Sequence, residues 1–414
     1  MRMDKPLTES PADVTTDGGL CPHFGDCGGC ESQDVPYPEQ LEHKEAALRS
    51  LFAGHWDDAI PVTPSPVVWH YRNKVDFNFG LRQYPEPPPK DFERETLLGF
   101  TRKGEWYFPL DITDCRIAPR GVDKLLEAVR EWYRDRGLRA YDSRGKEGFL
   151  RTLLVREGRR TGERMVALFT SPGDFDKEGF VQAVRSSYPA QSVYRGVYRG
   201  VARGTFADEM ELIDGDPYIQ ELLQVPDDGG ARELRFRVSP FSFFQTNSLG
   251  AEVLYGEIRR WVREVAPDIL YDLYGGAGGI AFSCSDLVTT VRSIESEESA
   301  TKDGEYNAKQ NGIENVFFTT EKMRHYLRQV VESGGMESSS AVVTDPPRGG
   351  MTPKPVKRLV QSRPPHIMYV SCKASVLAEE LPKFLEVYDL TRLWAIDLFP
   401  HTPHVEVLAT LRIR

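Results

Sequence analysis

A thiol and a carboxylate in the C-terminal part of this chain have the chemistry of a nucleophile and a base. Cys372 ends the run Ile367-Met368-Tyr369-Val370-Ser371-Cys372-Lys373, where an apolar stretch stops on a thiol. Glu406 ends Phe399-Pro400-His401-Thr402-Pro403-His404-Val405-Glu406. Carbon 5 of a uracil is a poor nucleophile. A thiolate added at carbon 6 turns the ring into an enolate whose carbon 5 can accept a methyl group. A base must then take the carbon 5 proton so that the thiol can eliminate. A lone cysteine after an apolar run is more often core packing. Its neighbouring motifs turn the reading toward Cys372 as nucleophile and Glu406 as base.

Two upstream segments supply those motifs. In Tyr271-Asp272-Leu273-Tyr274-Gly275-Gly276-Ala277-Gly278-Gly279 a strand ends on a glycine-rich turn, which lets backbone approach a ligand closely. Such a turn alone is shared by nicotinamide, flavin and S-adenosylmethionine binders. Glu295 ends the next strand, where a carboxylate can accept both ribose hydroxyls. Asp345 opens Asp345-Pro346-Pro347-Arg348 after another strand. No phosphate-loop lysine is present, which argues against ATP. The Asp-Pro-Pro turn and the Cys/Glu pair have no part in hydride transfer, so S-adenosylmethionine is favoured. Gln245, in Ser239-Pro240-Phe241-Ser242-Phe243-Phe244-Gln245-Thr246-Asn247, offers a donor and an acceptor to a uracil edge or to the cofactor. The aromatics around it are expected in the core. Arg348 or Lys373 is expected to lower the Cys372 pKa by nearby positive charge.

The 414 residues suffice for two or three domains with large cores. A net charge of −10 argues against coating nucleic acid by bulk attraction. The stretch Arg116–Arg164 differs, with fourteen Lys/Arg against eight Asp/Glu, or +6. It reads as a solvated helix face or as a phosphate-tracking surface. No run approaches the ~20 apolar residues of a membrane span. No signal-peptide core follows Arg2 and Lys5, so residues 1–18 read as a disordered tail of a cytoplasmic protein. Six cysteines without a secretory signal do not imply disulfides. Cys21, Cys27 and Cys30 are clustered, which points to metal. Three close thiols and a distant fourth could hold zinc or an iron–sulfur cluster.

The expected fold is α/β. Residues 19–240 read as a mixed α+β domain that binds the cluster and RNA. Its helices lie near 38–52, 122–136 and 177–187, with strands at 71–100, 150–155, 165–170 and 191–201. From 241 to 414, strands at 269–274, 287–294, 341–344 and 367–370 alternate with helices at 248–265, 300–311 and 377–385. That alternation indicates a Rossmann-like parallel sheet. A final pair, 390–398 and 406–413, is expected at a sheet edge.

These motifs, in this order, resemble the RumA/TrmA family of S-adenosylmethionine-dependent RNA 5-methyluridine methyltransferases, from about Cys21 to Leu411. The resemblance implies Cys372 as nucleophile and Glu406 as base. It implies cofactor contacts at Gln245, Tyr274, Glu295 and Asp345. It also implies a [4Fe–4S] cluster on Cys21, Cys27, Cys30 and Cys115, as in the rRNA branch. The partner implied is RNA, 23S rRNA first and the tRNA T-loop second, acted on by a monomer. A non-catalytic RNA-binding protein on the same fold is a further reading. Several positions depart from the family. Gly275 stands where Cys is usual, Gly279 where Asn is frequent, Lys322 at a common cofactor contact, and Lys373-Ala374 where Asn-Pro often follows the nucleophile. The first cysteine lies too near the start for the small RNA-binding barrel (TRAM domain) of many relatives, so RNA affinity is expected from the middle domain and the cleft.

Overall fold

A computed structural model describes residues 19–86, 89 and 92–414, so the expected tail over 1–18 lies outside the described residues. The C-terminal part is built on an eight-stranded sheet. Its order runs Val62–Thr63, Tyr388–Ile396, Glu406–Ile413, His366–Ser371, Ser340–Thr344, Ile269–Leu273, Thr290–Glu295, Val316–Thr320. Glu406–Ile413 is antiparallel to both its neighbours, and the other pairings are parallel. The central strands are continuous apolar runs buried on both faces, as a helix-covered parallel sheet requires. Strand order reverses between Ile269–Leu273 and Ser340–Thr344. Ligands of open α/β sheets bind at the carboxyl ends of the strands beside such a point.

The final pair is not at an edge as expected. Glu406–Ile413 is an interior strand, because six of its eight residues are apolar or Thr and six are buried. The short strand Val62–Thr63 then extends the sheet beyond Tyr388–Ile396. Helix Tyr37–Leu51 packs beside it, and Leu48, Phe52, Ile60 and Val62 join the apolar core of this sheet. From this helix the chain runs along the catalytic sheet, crosses to the middle region and returns.

The middle region holds a seven-stranded sheet: Glu105–Asp111, Thr96–Arg102, Lys74–Leu81, Leu150–Glu157, Arg164–Thr170, Ser192–Val197 and Glu209–Gly215. Helices Val122–Asp135 and Lys177–Ser187 contribute Leu125, Leu126, Val129, Phe180 and Val184 to its core. A hairpin, Ile219–Asp227 with Gly230–Val238, went unread in the sequence. It buries Leu223, Val225, Leu234 and Phe236 in one core with helix Ser248–Val265.

The basic stretch forms no continuous cationic face. Arg130 pairs with Asp111, Arg134 with Glu95, Arg136 with Asp176, Arg139 with Glu93, Arg160 with Glu252 and Arg164 with Glu157. Arg156 is buried and donates to the Ser242 carbonyl at 2.6 Å. The acids that neutralise these cations lie mostly outside the stretch, which is why local charge misleads.

One buried ion pair holds the N-terminal helix to the loop before Glu406. Lys44 Nζ lies 2.8 Å from Asp397 Oδ1, both are buried, and the Tyr37 hydroxyl donates to Asp397 Oδ2 at 3.1 Å. Burial pushes the Asp397 carboxyl up and the Lys44 amine down, with mutual attraction opposing each shift. Lys44→Met should lower unfolding stability by about 3–5 kcal/mol, since a buried charge would lose its partner. Denaturant titration reads this, and a loss under about 1 kcal/mol would contradict the pair's role.

Candidate active site

The catalytic pair is set by strand register. Ser371 pairs with Val407 across neighbouring antiparallel strands. The next step of that ladder sets Cys372, just past one strand, beside Glu406, the first residue of the other. Thr344 pairs with both Tyr369 and Leu273, so Asp345 leaves the next strand at the same end of the sheet. The glycine turn after Leu273 completes the rim.

Gln245 reaches this rim through a capped helix. Asn247 is the N-cap of Ser248–Val265, its Oδ1 accepting from Gly250 N at 2.9 Å and its Nδ2 donating to the Leu398 carbonyl at 3.0 Å. Asn73 Nδ2 donates to the Gln245 carbonyl at 2.7 Å. Held so, Gln245 donates from Nε2 to Asp345 Oδ2 at 3.1 Å. The four residues Phe-Gln-Thr-Asn thus combine a helix cap with a site amide.

The glycine turn is shaped by what crowds it. A Cβ on Gly275 would sit 2.0 Å from Ser293 Oγ and 2.9 Å from Asp272 Oδ2. A Cβ on Gly279 would sit 2.4 Å from the Tyr255 hydroxyl. Both departures from the family pattern therefore have a local steric reason. Tyr274, at φ 66°, holds a left-handed conformation that non-glycine residues seldom adopt. Glu295 accepts from Gly276 N at 3.1 Å and from Ser296 N and Glu297 N, which fixes its carboxylate at the turn.

Three carboxyl groups here, those of Asp272, Asp345 and Glu406, are reluctant to ionise. Burial, with the charge of Asp345 next, pushes Asp272 up to about 7. Burial also raises Asp345 to about 7, against the Gln245 hydrogen bond. Glu406 is driven well above the ordinary carboxylate range by burial and then by Asp345. Glu406 Oε2 and Asp272 Oδ1 are buried without hydrogen-bond partners among the described residues. Unpartnered buried oxygens beside a glycine cradle suit a ligand that brings donors or positive charge. The Cys372 thiol is pushed up to about 11, first by burial and then by Glu406 and Asp345. Arg348 acts in the expected direction but is outweighed. The expectation of a lowered thiol pKa is therefore corrected.

That sign is testable. Iodoacetamide labelling of Cys372 should accelerate about tenfold per pH unit between about pH 7 and 10, as thiolate accumulates below its pKa. Asp345→Asn removes a like charge and should speed labelling at fixed pH about two- to tenfold, whereas Arg348→Ala should slow it. Peptide mass spectrometry follows both, and an unchanged rate in Asp345→Asn would contradict the electrostatic account.

Phe243 was expected in the core, yet it is 63% exposed and lies beside the Gly276 turn. Phe241 is also exposed, whereas Phe244 packs against Phe236. The signal was available in the alternation Phe241-Ser242-Phe243, whose serine is buried and donates to Asp303 Oδ2 at 2.6 Å. An exposed aromatic at the mouth of a polar cleft suits stacking on a base.

Cys21, Cys27, Cys30 and Cys115 line one cavity of about 280 Å³ in the middle region. Phe24, Phe100, Ile112 and Ile117 supply its apolar wall. Burial, with neighbouring thiols adding, raises Cys30 to about 11 and Cys115 to about 12. Among the described residues, no three His, Cys, Asp or Glu side chains converge tightly enough to hold a single metal ion. Cys284 is buried in the core of the catalytic sheet, away from this group. No helix among the described residues is long and apolar enough to cross a membrane.

The comparisons with known proteins agree with this geometry. The family model described as tRNA (Uracil-5-)-methyltransferase matches residues 205–413. The chain is 33% identical to an RNA methyltransferase of Caldanaerobacter subterraneus, over 98% of this chain and 86% of that protein. It is 31% identical to a tRNA (uracil(54)-C(5))-methyltransferase of Pyrococcus furiosus, covering 98% and 87% respectively. Among solved structures, the tRNA (uracil-54, C5)-methyltransferase of Pyrococcus abyssi, in complex with S-adenosyl-L-homocysteine, superimposes with TM-score 0.70. It is 28% identical, over 92% of this chain and 84% of that one. The chain belongs to the tRNA (uracil-5-)-methyltransferase family.

Proposed function

We propose that Cys372 and Glu406 methylate carbon 5 of a uridine in structured RNA, with S-adenosylmethionine as methyl donor. The observation that carries this reading is the register that sets a thiol beside a buried carboxyl group at the sheet's switch-point end. Cys372 Sγ adds to carbon 6 of the ring, and Arg348 favours its thiolate. After methyl transfer, Glu406 takes the carbon 5 proton, and the sulfur–carbon bond breaks to restore the uracil. Glu406 must be ionised to do so, and a cation near Asp345 and Glu406 would bring both carboxyls back toward their ordinary range.

The residues present fit the methyl donor. Glu295 would take its ribose hydroxyls, Tyr274 and the Gly275–Gly279 turn would receive its adenosyl part, and Gln245 and Asp345 would border the reacting end. When bound, S-adenosylmethionine supplies an electrophilic methyl group. Phe243 is placed to stack on a base that has left its helix.

The donor set at the cysteine-lined cavity fits a [4Fe–4S] cluster better than one ion. Four thiolates on a cubane stand further apart than four ligands on a single zinc, which agrees with thiols that share a cavity without converging. The cluster would tie the turn at Cys21–Cys30 to Cys115. Iron and sulfide analysis of anaerobically purified protein tests this, expecting about four of each per chain. Colourless protein containing zinc would overturn it.

As for the RNA, the relatives from Pyrococcus furiosus and Pyrococcus horikoshii and the Pyrococcus abyssi structure are named for uridine 54 of tRNA. No residue described here favours the 23S rRNA expected from the resemblance. We therefore carry tRNA forward, acted on by a cytoplasmic monomer. Incubation with S-adenosylmethionine and separate pools of unmethylated tRNA and 23S rRNA, then nucleoside mass spectrometry, decides. New 5-methyluridine confined to the tRNA pool is expected, and its confinement to rRNA would overturn the choice.

A further inference from the structure

A second cavity of the middle domain, about 380 Å³, opens on the seven-stranded sheet at Asn78–Leu81. Four arginines line it (Arg94, Arg144, Arg151 and Arg203) against a single acid, Asp142. In a chain of net charge −10 this is an unusual concentration of cations. Arg144 and Arg151 come from the basic stretch and are not taken up by its ion pairs.

Arg151 is the built part of the site. It is buried, with its guanidinium 3.6 Å from the centre of the Tyr141 ring and 5.1 Å from that of Tyr198. Its Nε donates to Ser171 Oγ at 3.1 Å and its Nη2 to the Gly200 carbonyl at 2.8 Å. Among the described residues no carboxylate pairs with Arg151, and its Nη1 makes no hydrogen bond. A buried, oriented cation without a counter-charge is costly unless an anion is to come. Arg144 is exposed and likewise has no ion pair among the described residues. Tyr107, 45% exposed, and Phe100, half-buried, also line the cavity, so aromatic rings and cations share one lining. Phosphate with a stackable base is the ligand chemistry such a lining recognises.

The cavity is aligned with the catalytic cleft. Strand Lys74–Leu81 begins beside Asn73, whose side chain holds the Gln245 carbonyl, and its far half lines the cavity. Five to eight strand residues at ~3.3 Å each separate the two, roughly 17–26 Å. Stacked nucleotides at ~3.4 Å per step would cover this in about five to eight steps. We propose that this cavity is a second RNA subsite that seats one nucleotide of the substrate strand, its phosphate on Arg151 and Arg144 and its base on the Tyr107 and Phe100 rings. The assignment rests on the RNA-methylating reading and adds a grip remote from the uridine that reacts. It gives an acidic protein a local means of holding RNA.

The test compares wild type, Arg144→Glu and Tyr107→Ala, both surface changes, for binding of whole tRNA across a salt series. Each variant should lose about tenfold in affinity, and Arg144→Glu should flatten the salt slope by about one. Methylation should show a raised KM for whole tRNA with kcat at saturation unchanged. A stem-loop confined to the target loop should bind wild type and variants alike. Equal affinity for whole tRNA would overturn the subsite. So would saturable binding of free nucleoside monophosphate that the variants lose while tRNA affinity is kept, since the cavity would then serve a small molecule. Wild type that forms no methylated nucleoside while the variants still lose tRNA affinity would sink the methylation reading and leave the subsite standing.

Discussion

Cys372→Ala should leave S-adenosylmethionine binding intact and cut methyl transfer to RNA by at least ~10³-fold, because carbon 5 then has no route to nucleophilic character. The size follows from the chemistry, since no other group can take the thiol's place. The other polar groups described near this rim include carboxyls, an amide, an arginine, an imidazole (His404, 3.3 Å from Arg348) and the hydroxyls of Ser293 and Tyr255. None adds to carbon 6 with comparable ease. Calorimetry with the cofactor and single-turnover transfer with RNA separate the two properties. Retained transfer in Cys372→Ala would mean that a different atom is methylated. Loss of cofactor binding along with transfer would mean that the substitution had disturbed the fold.

Glu406→Gln should have the opposite kinetic signature. Addition and methyl transfer go forward, proton removal does not, and the RNA stays bonded to Cys372. A protein–RNA adduct stable to denaturing electrophoresis should build up, while turnover falls about 10²–10⁴-fold. The double variant Cys372→Ala with Glu406→Gln should form none. The substitution also replaces a buried carboxyl group, one oxygen of which lacks a partner among the described residues, by an isosteric amide, so stability should change little. Normal turnover in Glu406→Gln would remove the residue from the role of base. Slow turnover without adduct would place its role before methyl transfer.

Much of the site is legible in the sequence because its residues sit at the ends of strongly patterned strands. Apolar runs ending at Asp345 and Cys372 mark strand termini, and strand termini of a parallel sheet share one edge. The Phe-Gln-Thr-Asn element is readable for the same reason, with Asn247 capping a long amphipathic helix. What was not legible depends on partners distant in the chain. Val62–Thr63 has only two residues of strand and exists because Ala395 and Ile396 offer an edge. The interior place of Glu406–Ile413 follows from pairing on both sides, which local alternation cannot reveal. Arginines that read as a cationic surface are neutralised by Glu93, Glu95, Asp111, Asp176 and Glu252, none of them in the same stretch. The Cys372 thiol shows the same limit. Arg348 is close in the sequence of motifs, but burial of the thiol, with Glu406 and Asp345 next, outweighs it, and only the folded sheet creates that setting.

The central claim is methylation at carbon 5 through removal of the carbon 5 proton, and one labelling experiment addresses it directly. Unmethylated tRNA transcribed with 5-tritiated uridine is incubated with the protein and S-adenosylmethionine carrying a differently labelled methyl group. Release of tritium to water and gain of methyl should rise together, one for one, and the digested RNA should contain 5-methyluridine. Methyl gained with the tritium retained would contradict the account, because the reaction would then lie at another atom of the RNA.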